Sequence, residues 1–305
     1  ETVKTTVYIQ VSARNHYTVG LKEDGTVWTW GLNGHEQLGQ RTEENNHIPA
    51  RVLDIDRVIS VKAGTRSTMA LKDDGTVWVW GSNSYGEHGN GLIGGHASTP
   101  LKVEGLENVI AIEANGDSLF ALKEDRTVWT WGRNMIVGLG DDVSGDNRVP
   151  VMISNLDNVK HIIAGYTHMF AIKEDGSVWA WGRNLSGQFG NGTYEGALEP
   201  IKIDGIESAK KILAGNNCTA ILEEDGTVFT CGVNYFGQLG DARNIDCSSV
   251  FTKAIGTNYK DIAVNYDSNI YGIKEDGTIY SFGQTIDQEQ PTEVMDISNT
   301  DLRLV

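Results

Sequence analysis

Apolar residues recur along this chain with the short period of extended strands, not the longer period of helices. Runs such as "RVISVKAG" from Arg57 and "STMALK" from Ser67 are followed by an acidic turn, by "TVWVWG" from Thr76 and, past a polar glycine-rich segment, by "TPLKVEGL" from Thr99. Residues two apart on a strand share a face, so each run predicts one strand and the set predicts four, A to D, per unit. The unit recurs: the glycine that closes the third run stands at Gly31, Gly81, Gly132, Gly182, Gly232 and Gly283, spaced 50 or 51 residues apart. Such a period marks supersecondary units that share one core, so a single repeat domain of six units over residues 1–305 is expected.

The B–C connection reads Glu-Asp-Gly or a near copy. A three-residue hairpin loop ends at positive φ, where glycine is cheapest, and Gly25, Gly75, Gly176, Gly226 and Gly277 fill that slot. Arg126 stands in the sixth copy and should be strained. A second slot of the same kind is expected before strand B, at Gly64, Asn115, Gly165 and Gly215. All five prolines, Pro49, Pro100, Pro150, Pro200 and Pro291, fall just ahead of strand D, which marks D as the edge strand.

All eight tryptophans lie in strand C as dyads, Trp28 with Trp30, Trp78 with Trp80, Trp129 with Trp131 and Trp179 with Trp181. The opposite face carries Val or Ile, and strand B adds Leu21, Leu71, Leu122, Ile172, Leu222 and Ile273. A sheet apolar on both faces must be sandwiched, and the arrangement that does this for six sheets is a β-propeller with the dyads packed between blades. Cys231 and Phe282 replace the second tryptophan, which predicts looser filling of blades five and six.

Composition narrows function. The formal net charge of −16 opposes nucleic acid and anionic lipid, so no direct nucleic-acid binding is expected, and no apolar run is long enough for membrane insertion as a helix. The first residue, Glu1, suggests a processed protein or a domain of a longer one, and an extracellular or cell-surface bacterial setting is the expectation. Cys218, Cys231 and Cys247 form no disulfide framework and should be free, largely buried thiols. The seven histidines show no ligand spacing, and no hydrolase, metalloprotease or nucleotide-binding motif stands in a fitting context, so neither catalysis nor a cofactor is expected. Asp142, Ser144 and Asp146 have a spacing that calcium loops use but lack the remaining ligands, and read as a solvated turn.

One feature does vary. After the asparagines at 33, 83, 134, 184 and 234 come Gly34-His35, Ser84-Tyr85, Met135-Ile136, Leu185-Ser186 and Tyr235-Phe236. A constant scaffold around edited apolar positions is the raw material of a protein-binding surface, and Tyr85, Met135, Ile136, Leu185, Tyr235 and Phe236 are its candidates. Tyr17, Tyr166 and Tyr266 on the A–B loops could extend it. The competing reading is that these side chains fold back onto the neighbouring blade.

"GYTHMFAIKEDGSVWAWGRNLSGQFG", residues 165 to 190, resembles the repeat signature of the regulator of chromosome condensation family, and the resemblance spans essentially the whole chain. The resemblance implies a propeller, commonly of seven blades, where six hairpins are written here. The family's strand-B histidine is matched only by His168. For function the resemblance implies little, since propellers of this family serve as nucleotide-exchange factors, enzyme inhibitors and adaptor modules alike. The residues themselves lead to the expectation of a non-catalytic, monomeric propeller that binds a protein partner through its A–B/C–D loop face. The alternatives are a guanine-nucleotide exchange factor for a small GTPase, a propeller similar to the β-lactamase inhibitors, and a carbohydrate-binding module.

Overall fold

The computed structural model describes residues 7–134, 145–206, 209–243, 245–265, 268–282 and 292–294, the last as backbone only. They form six antiparallel sheets of four consecutive strands. The first three are β1 (Tyr8–Arg14), β2 (Tyr17–Lys22), β3 (Val27–Gly31) and β4 (Asn46–Arg51); β5 (Val58–Ala63), β6 (Ser67–Lys72), β7 (Val77–Ser82) and β8 (His96–Lys102); β9 (Val109–Asn115), β10 (Ser118–Lys123), β11 (Val128–Gly132) and β12 (Asn147–Met152). The fourth is β13 (Val159–Ala164), β14 (His168–Lys173), β15 (Val178–Gly182) and β16 (Ala197–Ile203). The fifth is β17 (Ala209–Ala214), β18 (Cys218–Glu223), β19 (Val228–Val233) and β20 (Cys247–Lys253), and the sixth is β21 (Tyr259–Val264), β22 (Ile270–Lys274), β23 (Ile279–Phe282) and β24 (Thr292–Val294). The fold is an all-β propeller of six four-stranded blades. The N-terminal run supplies strand A of the first blade, β1 pairing antiparallel with β2. The residues divide into two compact units, one through Ile162 and one from Ile163, apart from short exchanged segments.

Each B–C turn is a small polar relay. In the first blade, Lys22 donates its amide to the Thr26 carbonyl at 3.0 Å and Gly25 donates to Lys22 at 2.9 Å. The slot has φ of 75°, 76°, 82°, 78° and 86° at its glycines and 68° at Arg126. The Asp24 carboxylate accepts from the Thr26 amide (3.0 Å) and hydroxyl (2.6 Å), and the Thr26 hydroxyl accepts from Trp28 Nε1 at 3.0 Å. Those two bonds hold the Asp24 carboxyl below its ordinary range. Lys22 Nζ lies 3.8 Å from the Trp28 ring centre, a cation–π contact. The relay repeats through Thr76 to Trp78, Thr127 to Trp129 and Ser177 to Trp179. The first tryptophan of each dyad is therefore a half-buried member of the turn. Trp78 and Trp129 also pack against apolar clusters shared by two adjacent blades.

In blades two and three the second tryptophan does lie between blades. Trp80, Trp131 and Trp181 are fully buried, while Trp30 is half-buried. Trp80 donates from Nε1 to the main-chain oxygen of Gln37 at 2.9 Å, and Thr68 donates to that oxygen at 2.7 Å. Trp131 Nε1 reaches the Glu87 oxygen at 2.8 Å. Gly39 is required beneath Trp80, because a Cβ there would sit 2.7 Å from Nε1. Burying roughly 200 Å² of indole at about 25 cal/mol per Å² contributes on the order of 5 kcal/mol, against about 1 kcal/mol net for the hydrogen bond. Burial holds the blades together; the hydrogen bond fixes their register.

Two sequence expectations need correction. Gly64, Gly165 and Gly215 do not have positive φ; they are glycine because a Cβ would press on Ser67, His168 and Cys218 at 2.8–2.9 Å. Four prolines lie inside strand D, not ahead of it. There the register jumps, as from Thr29↔Ala50 to Gly31↔Asn46, so that three residues ending in Pro49 face Trp30 alone. The same bulge carries Pro100, Pro150 and Pro200. An edge bulge has no ladder hydrogen bond to lose, which is why proline is accommodated.

Blade five keeps the bulge but holds Phe251 in the proline slot, opposite Cys231. Phe251 lies against Gly190, the glycine equivalent to Gly39, and packs on the cluster around Phe170 and Phe189. Strand D thus supplies the ring that strand C lacks. In blade six Phe282 is fully buried and lies against Gly240. Neither site is loosely filled, contrary to expectation.

Two outcomes follow from this packing. Arg126→Gly should raise stability by about 0.5–1 kcal/mol, since it removes a Cβ from a left-handed position; an unchanged or lower denaturation midpoint contradicts it. Cys231→Trp should destabilise by about 1–3 kcal/mol through overpacking, and Phe251→Pro added to it should recover at least about 1 kcal/mol of that loss. Additive losses in urea denaturation would show that the two positions do not share one space.

Candidate functional site

The A–B and C–D loops emerge at the same end of each sheet, and the C–D loops are built around buried polar side chains. Asn33, Asn83, Asn184 and Asn234 each accept through Oδ1 from the amide five residues on, at Leu38, His88, Phe189 and Leu239, with distances of 2.8–2.9 Å. Their Nδ2 groups donate across the loop, as from Asn184 to the Thr193 and Glu195 carbonyls at 2.9 and 3.0 Å. A second brace comes from Gln37, Gln188 and Gln238, whose Oε1 accepts the amides of His35, Ser186 and Phe236 at 2.9 Å. The loop backbone is thereby satisfied from within and needs no tip side chain to hold it.

Three of the sequence candidates stand free on that frame. Leu185 is 75 % exposed, Tyr235 66 % and Phe236 62 %, all in the second unit. They do not fold back. Tyr166 is half-buried, and its amide is tied to the Gly215 carbonyl at 2.9 Å. Tyr85, in the first unit, is half-buried beneath the Arg133 guanidinium, 4.6 Å from its ring centre. Met135, Ile136 and Tyr266, like Asp142 and Ser144, lie outside the described residues.

Tyr17 is not part of a surface. It is 2 % exposed and donates its hydroxyl to the Ser67 carbonyl at 2.6 Å. Burial pushes its phenol strongly upward. His168 occupies the same strand-B slot in blade four, with Nε2 3.0 Å from the Thr219 hydroxyl. Burial pushes it down to about 3, so it is a neutral bolt to the next blade. Cys218 and Cys231 are buried free thiols, and Cys247 is free and half-buried. Among the described residues no three His, Cys, Asp or Glu side chains converge as metal ligands.

Sequence reading missed a charged group in the first unit. Glu87 stands where Gln37, Gln188 and Gln238 stand in three other loops. One carboxylate oxygen accepts the Tyr85 amide at 2.7 Å, and burial pushes the group up to about 7. Nearby Asp117 is 8 % exposed and faces Arg66, Arg133 and Arg14, with its carboxyl raised by burial against their pull. Arg66 and Asp117 share one column, the residue just before strand B, where blades one, four and five have His16, Thr167 and Asn217. Reading charge down that column, and not along the chain, was the available signal.

Comparison with known proteins agrees with the architecture. Prp20p of Saccharomyces cerevisiae superposes with a TM-score of 0.81 at 22 % identity, over 95 % of this chain and 77 % of that one. Human WBSCR16 gives a TM-score of 0.75 at 25 % identity, over 85 % and 70 % of the two chains. In sequence, 128 residues, 41 % of this chain, are 29 % identical to the human E3 ubiquitin-protein ligase HERC2. The match spans only 3 % of that protein's length. The family model described as the RCC1-like domain matches residues 1–293, and the chain belongs to that family.

Proposed function

We propose that this chain is a non-catalytic interaction propeller, a single domain that binds a protein partner through the end of its blades formed by the A–B and C–D loops. In the second unit Leu185, Tyr235 and Phe236 act as apolar anchors. One observation carries the reading: these side chains are exposed while the backbone beneath them is braced by Asn184, Asn234, Gln188 and Gln238. Large apolar groups on a rigid loop lose little entropy on binding and are typical of interface hot spots. Membership of the RCC1-like family supports protein binding in general. Prp20p is described with its binding to Gsp1p and histones, but at 22 % identity that likeness shows the fold alone and does not favour nucleotide exchange.

Tyr235→Ala combined with Phe236→Ala should weaken the partner complex by about 2 kcal/mol or more while changing stability by no more than about 0.5 kcal/mol. The measurement is a binding titration and a melting curve on the same double variant, with a glycan array run on the wild type. Unchanged affinity with a sharply lowered melting temperature contradicts the reading, and a saturable glycan would replace it with carbohydrate binding.

A further inference from the structure

The charged group of the first unit has a composition that packing alone does not require. Three arginines from three blades face the Asp117 carboxylate: Arg14 at the end of β1, Arg66 ahead of β6 and Arg133 just past β11. Arg133 Nη1 stands 3.6 Å from Asp117 Oδ2, and its guanidinium rests on the Tyr85 ring. The Arg66 side chain makes no hydrogen bond or ion pair with any described residue. Arg133 Nε and Glu87 Oε1 are buried atoms without a partner among the described residues, and beside the arginines the Asp117 carboxylate meets only the Thr65 side chain. A group assembled only to neutralise itself would pair these atoms.

The balance of charge favours an anion. Around Asp117 there are three guanidinium groups to one carboxylate, and the second carboxyl, Glu87, is pushed up to about 7, so it carries only part of its charge at neutral pH. Asp146 also faces Glu87, but one of its oxygens accepts the Asn134 amide at 3.1 Å. His35 and His96 adjoin the group, their ring nitrogens 3.4 Å apart; burial and Arg66 lower the pKa of His35, which disfavours its charge. A planar guanidinium presents paired N–H donors that match the two oxygens of a carboxylate. A long polyanion would also feel the chain's net charge of −16, whereas a single carboxylate engages the site within one Debye length.

We infer that Arg66 and Arg133, with Arg133 positioned by Asp117 and the Tyr85 ring, form a recognition site for a carboxylate side chain of an acidic peptide segment. The inference does not rest on the apolar tips of the second unit. Arg66 is half-buried and Arg133 is 29 % exposed in its side chain, so both remain reachable.

The test is a nuclear magnetic resonance titration of the full chain with an end-blocked tetraglutamate peptide at about 0.1 M salt, where the Debye length is about 10 Å, reading the arginine Nε–Hε resonances. Saturable shifts are expected at Arg66 and Arg133. Arg66→Gln should raise the dissociation constant by about tenfold or more, as expected for loss of a charge-assisted contact. Arg133→Lys, which keeps the charge but loses the fork, should weaken binding less. Tyr235→Ala with Phe236→Ala should leave the titration unchanged, which separates this site from the proposed anchors. No saturation, an unaltered constant in Arg66→Gln, equal binding of inorganic phosphate, or preferential binding of tetralysine would each overturn the assignment.

Discussion

The C–D loop is a rigid element because of one acceptor, the main-chain oxygen at Gln37 and its counterparts Glu87 and Gln188. It takes Trp80 Nε1 and the Thr68 hydroxyl in one case, Trp131 Nε1 in the next, and the Thr219 hydroxyl with the Cys231 thiol in the third. Each donor belongs to the following blade, so the loop of one blade is fastened to the strands of its neighbour. A carbonyl buried without those donors would cost about 1–3 kcal/mol, which keeps the loop from moving off.

Fastening at that point separates two sets of constraints. Residues that meet the acceptor or the indole beneath it cannot vary independently, as the paired change at Cys231 and Phe251 shows. Residues beyond the loop asparagine touch neither, and they are the ones that differ from blade to blade. In the second unit this freedom appears as exposed Leu185, Tyr235 and Phe236; in the first it appears as Tyr85 under Arg133 beside a desolvated carboxylate.

Local pattern was enough for the strands, the turns and the strain at Arg126, because hairpin register follows from three or four adjacent residues. The thiol positions were legible too, since Thr219 pairs with Cys231 as the turn demands. What could not be read depends on partners 15 or more residues away. The bulge that places Pro49 inside β4 exists only once β3 is beside it. Tyr17 looks like a surface tyrosine until Ser67 of the next blade arrives to accept its hydroxyl. Arg66 and Asp117 look like ordinary loop charges until two blades bring them together.

Native-state hydrogen exchange on single amides tests the rigid-loop account most directly. The amides of Leu38, Phe189 and Leu239, held by asparagine Oδ1 inside the loops, should exchange only through global unfolding, as slowly as the strand amides of Leu71 and Ala220. The tip amides of Leu185 and Tyr235 should exchange freely in the same sample. If the inner amides exchange as fast as the tips, the loops open independently of the blades, and the account of a rigid frame carrying free tips is wrong.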